Sequence, residues 1–95
     1  MTTIVQIGNS DNKLTQVEWS EFVHEVGKTL EFLCGPIHFH GCSHGAARWQ
    51  NAAWVAEIVS PKNLDDVRTD LRIIARKFRQ DSIALTTGNT EFVSP

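Results

Sequence analysis

The densest concentration of side chains able to do chemistry is His38-Phe39-His40-Gly41-Cys42-Ser43-His44. Read as a strand, its period of two puts His38, His40 and Cys42 on one face, with His44 in the turn just beyond. Imidazole and thiolate are ligands for zinc or copper, so this set is a candidate metal or small-ligand site. Its spacing matches no zinc-finger pattern. Alternate residues of a strand lie about 7 Å apart, so convergence on one ion requires a bulge at Gly41. The competing reading is of half-exposed strand side chains beneath a dimer contact.

Cys34 and Cys42 are the candidate nucleophiles, with His40 or His44 as base, yet no third group orients such a base. Cys34 falls in the last turn of an expected helix, whose negative end disfavours a thiolate, so its expected role is packing. Asp65, Asp66 and Asp70 are accounted for by the electrostatics of a helix start. No Walker lysine and no three-glycine dinucleotide loop is present. The sequence therefore predicts no enzyme and calls for no cofactor.

Arg68, Arg72, Arg76 and Arg79 recur at spacings able to follow a phosphate backbone. Glu18, Glu21, Glu25 and Glu31 form a matching stripe on the other expected helix, so pairing between helices accounts for both. Binding of RNA through a sheet needs exposed aromatics beside basic residues. Here the first strand has no aromatic, and Trp49 and Trp54 have opposite parity, so nucleic acid is not an expected partner. Phe32 and Ile73 fall far from the core faces of their helical wheels, which makes them candidate contacts to a protein partner.

These residues are carried by a regular series of elements. Thr3 to Ile7 is β-branched and ends in the turn formers Gly8 to Asn12. Thr15-Gln16-Val17-Glu18 is a capping box. It opens a helix in which Trp19, Phe22, Val23, Val26, Leu30 and Leu33 share a face and which Gly35-Pro36 stops. Strands are expected over Ile37 to Cys42 and Arg48 to Val59. A second helix, N-capped by Asn63, carries Leu64, Val67, Leu71, Ile74, Ala75 and Phe78 inward. A strand from Ser82 to Thr87 follows, with Thr90 to Val93 expected to pair back as an additional C-terminal strand.

The order β-α-β-β-α-β is the ferredoxin-like α+β plan, with two helices on one face of an antiparallel sheet in the order 4-1-3-2. The open face would then carry Gln6, His38, His40, Asn51, Val55, Glu57, Ala84 and Thr86. With Phe32, Ile73 and Trp49, the residues His38, His40 and Asn51 complete the candidate partner-binding set.

A chain of 95 residues forms one domain, and 41% hydrophobic with 21% charged residues exclude disorder. Nine basic against eleven acidic side chains give a net charge of −2, no field for nucleic acid or anionic membrane. No apolar run reaches membrane-spanning length and the N-terminus lacks the features of a secretory signal. A cytoplasmic location without disulfides is expected. A core this small is marginal, which favours a homodimer.

In Ile7-Gly8-Asn9-Ser10-Asp11, Trp49-Gln50-Asn51-Ala52-Ala53-Trp54, Arg79 to Thr86 and Thr90-Glu91-Phe92-Val93, the chain resembles small uncharacterised single-domain proteins of actinobacteria and their phages. Those motifs carry no assigned chemistry, so no site residue is carried over. The resemblance implies a protein that acts by binding a host or defence protein, by analogy with other short phage proteins.

Overall fold

A computed structural model of the chain describes residues 1–9, 12–43 and 50–95. The elements run β1 (Thr2–Gly8), α1 (Gln16–Leu33), β2 (Ile37–Cys42), β3 (Asn51–Glu57), α2 (Pro61–Lys77) and β4 (Ala84–Gly88). The strands form one antiparallel sheet in the order β2-β3-β1-β4, the ferredoxin-like arrangement expected from the sequence.

Alternation along the central strands decides which face meets the helices. Thr3, Val5 and Ile7 of β1 and Ala52, Trp54 and Ala56 of β3 are buried, and their neighbours in sequence face the other way. Trp19, Phe22, Val26 and Leu30 of α1, with Val67, Leu71 and Ile74 of α2, close over them. Phe22 lies at the centre, stacked on Phe78 with ring centroids 5.0 Å apart and met edge-on by Trp19. At Gly27, where a Cβ would lie 3.6 Å from Nε1 of Trp54, α1 comes down onto the indole.

The end of β1 is tied to the residues before α1 by one buried side-chain amide, that of Asn9. Asn9 donates from Nδ2 to the Leu14 carbonyl at 3.2 Å and to Gln50 Oε1 at 3.0 Å, and its Oδ1 accepts from the Leu14 amide at 3.0 Å. Gln50 in turn exchanges two hydrogen bonds with Gln16, at 2.8 and 3.1 Å. The Gly8-Asn9 and Gln50-Asn51 motifs, joined by a bond between residues 41 apart in sequence, are thus one structural knot.

The capping box forms as read, with the Glu18 amide donating to Thr15 Oγ1 and the Thr15 amide to Glu18 Oε1. The second helix starts earlier than expected. Its N-cap is Ser60, because Pro61 at the first helical position has no N–H to satisfy and a preset φ. Asn63 instead donates from Nδ2 to the Leu33 carbonyl at 2.8 Å, tying the end of α1 to the start of α2. That helix ends in a Schellman motif, with the Gln80 amide donating to Ala75 O, the Arg79 amide to Arg76 O, and Arg79 left-handed at φ 57°.

No additional C-terminal strand forms. Residues 89–95 are irregular, Phe92 and Val93 are almost fully exposed, and among the described residues no strand pairs with the outer edge of β4.

Candidate functional site

The histidine segment does not present its side chains on one face. Ile37 pairs with Ala56, and Phe39 pairs with the very next residue, Val55, so His38 is the extra residue of a β-bulge. The bulge resets the alternation. His38 falls on the open face, where its Nε2 lies 3.4 Å from Glu57 Oε1. His40 and Cys42 pair with Trp54 and Ala52 and so face the helices, which corrects the expected placement of His40. The His40 ring stacks on Trp54, with centroids 4.6 Å apart and planes within 1°. The Cys42 sulfur is 4.0 Å from His40 Nε2.

Among the described residues no three His, Cys, Asp or Glu side chains converge as a metal site would require. The expected set is divided: His38 is on one side of the sheet, His40 and Cys42 are on the other, and His44, like Trp49, lies outside the described residues. A residue that the sequence reading passed over, His24, lines a groove of about 590 Å³ together with His40, Trp54, Lys28 and Glu31. Its position on an exposed flank of α1 gave no signal. Cys34, the C-cap of α1, is half-buried against the core, and burial pushes its thiol pKa up, in keeping with a packing role.

The open sheet face carries Gln6, Val55, Glu57, Asn51, Ala84, Thr86 and His38, as the alternation predicts, and also Ile4, Ala53 and Phe39. Phe39 is 56% exposed and its ring lies over Gly41. A Cβ at Gly41 would come within 2.6 Å of the ring tip, so glycine is what lets the phenyl lie flat on the strand. None of the four strands contains a lysine or arginine. The ionisable pair on this face sits at one end. Burial pushes the Glu57 carboxyl up, but the Thr2 hydroxyl, the Met1 amino group and His38 together outweigh it and hold its pKa below the ordinary value.

The outer surface of the helix pair gathers the two misplaced apolar residues. Phe32 is 87% and Ile73 57% exposed. Two shallow depressions, one bordered by Phe32 and the other by Ile73, share Lys28, Thr29 and Asp70 as lining, so both residues belong to one continuous surface. Its rim carries both signs of charge, including the Lys77–Glu25 pair at 2.5 Å.

These features define a ferredoxin-like domain with two exposed apolar surfaces and no assembled reactive centre among the described residues. Compared with known protein families and with curated proteins, the chain matches none.

Proposed function

We propose that this protein is a non-catalytic binding module that pairs through its open sheet face with a second copy of itself and leaves the Phe32 and Ile73 surface for another protein. The observation that carries the reading is the composition of the sheet face: Ile4, Ala53, Val55 and Phe39 lie together with no lysine or arginine on any strand. Depletion of charge with retention of aromatic and aliphatic side chains is the mark of the centre of a protein interface. A two-fold contact buries the same patch on both copies and adds apolar burial that a domain of 95 residues lacks on its own. In the phage-type setting that the sequence resembles, the second partner is a host or defence protein.

Sedimentation of the purified chain tests the dimer. A two-fold mass is expected at about 100 μM protomer, because dimer stability depends on protomer concentration. Val55→Lys, which sets a charge into the centre of the face, is expected to give a folded monomer with an unchanged far-UV spectrum. A wild-type chain that stays monomeric at that concentration overturns the reading.

A further inference from the structure

The arginine stripe read from the sequence does not stay together. Arg79 lies beyond the end of α2, in the left-handed turn, and its Nη2 reaches back to Glu18 Oε2 at 2.8 Å. Arg68, Arg72 and Arg76 remain on successive turns of α2, on the flank away from α1, and line a groove of about 480 Å³ between that helix and β4. Leu71, Ala75, Ile83 and Leu85 give the groove an apolar floor, and Gln80, Asp81 and Ser82 line the end where α2 stops, Asp81 being exposed and facing Lys13 at 4.0 Å. Among the described residues Arg68 pairs with the exposed Asp65 one turn earlier, at 3.1 Å, and with no other carboxylate. Among the described residues, Arg72 and Arg76 meet no carboxylate. Pairing across the helices, which accounts for Arg79 and Lys77, does not account for these three.

The groove also borders an open strand edge. β4 is hydrogen-bonded to β1 on one side, and among the described residues no strand pairs with its other side. Such an edge accepts an extended segment by main-chain pairing. The spacings agree: residues four apart on a helix rise about 6 Å, and alternate residues of a strand on one face are about 6.6 Å apart. Carboxylates at alternate positions of an added strand therefore meet the arginines in step.

We propose that the α2–β4 groove binds an acidic, extended segment of a partner protein, which adds to the edge of β4 as a fifth strand and sets alternate Asp or Glu side chains against Arg68, Arg72 and Arg76. The lining favours peptide over nucleic acid. Between its arginines and polar residues it is aliphatic, it offers no aromatic platform on which a base could stack, and the chain as a whole carries a net charge of −2. The site is separate from the sheet face and from the Phe32 surface, so it does not depend on the dimer.

The test titrates the full chain with a nine-residue peptide alternating Glu and Val, with its Lys-for-Glu counterpart, and with an oligothymidylate of similar length, each fluorescently labelled, at about 50 mM salt where such charges are weakly screened. Saturable binding of the acidic peptide alone is expected. Arg72→Glu with Arg76→Glu is expected to weaken it by about tenfold or more, and Phe32→Glu to leave it unchanged. Amide exchange is expected to slow in β4 when the peptide is bound. No saturable binding of the acidic peptide, binding indifferent to the arginine changes, or unaltered exchange in β4 each overturns the proposal. Tighter, arginine-dependent binding of the oligothymidylate overturns it in favour of a nucleic-acid surface.

Discussion

The His40 imidazole lies parallel on the Trp54 indole, 4.6 Å between ring centres, on the side of the sheet opposite to His38. Two histidines separated by one residue thus have unrelated roles. His40→Ala uncovers one face of a buried tryptophan and is expected to lower stability by about 0.5–1.5 kcal/mol, the range for an offset or stacked ring pair. His38→Ala loses only a half-exposed contact to Glu57 and is expected to change stability by less than about 0.5 kcal/mol. Urea denaturation of both variants measures the difference, and an equal or larger loss for His38→Ala contradicts the assignment.

Phe39 and Gly41 make a second unequal pair. Alanine at position 41 collides with the tip of the Phe39 ring, which is free to swing away because the ring is more than half exposed. Gly41→Ala is therefore expected to cost little in thermal stability but to weaken self-association as much as Phe39→Ala does. Sedimentation at matched concentrations checks this; a variant that dimerises as the parent does places the contact elsewhere.

Among the described residues the buried polar side chains Asn9 and Thr3 differ, the first satisfied and the second not. Asn9 uses both ends of its amide, so Asn9→Ala strands the Leu14 amide and carbonyl and is expected to destabilise by about 1–3 kcal/mol. Thr3, fully buried between Ala56 and Thr87, has a hydroxyl with no hydrogen-bond partner among the described residues. Thr3→Val replaces that hydroxyl with a methyl of similar size and is expected to stabilise by about 1 kcal/mol. Opposite signs in the two midpoint shifts are the measurable result.

Most of the architecture was legible because local signals agreed with one another. The capping box at Thr15 and Glu18, the helical repeat from Trp19 to Leu33 and the β-branched start at Thr3 to Ile7 each specify an element, and their order restricts the topology. What failed was register. One bulged residue, His38, reverses the parity of every side chain after it, and nothing in the local composition marks it. The start of α2 was misread because Asn63 is as good a cap as Ser60 in isolation, and Pro61 decides between them. The arginine groove depends on where α2 stops, and the left-handed turn at Arg79, an unfavourable residue there, could not be read from spacing.

Glu18 gives the fold a dependence on pH whose sign can be worked out. Its carboxylate accepts from the Thr15 amide at 3.0 Å and from Arg79 at 2.8 Å, and these bonds hold its pKa below the ordinary value of 4.5. The unfolded chain offers neither, so protonation is easier there than in the fold. The contribution is complete above the unfolded value and is lost as pH falls through the lower, folded one. Stability is therefore expected to be flat near neutrality and to decline with acid below about pH 4.5. Glu57, shifted in the same direction, adds to the decline. Glu18→Gln keeps an acceptor for the Thr15 amide but no titrating group, so its urea midpoint is expected to start lower at neutral pH and to fall less steeply with acid. An acid limb as steep as the parent's assigns the effect to other carboxylates.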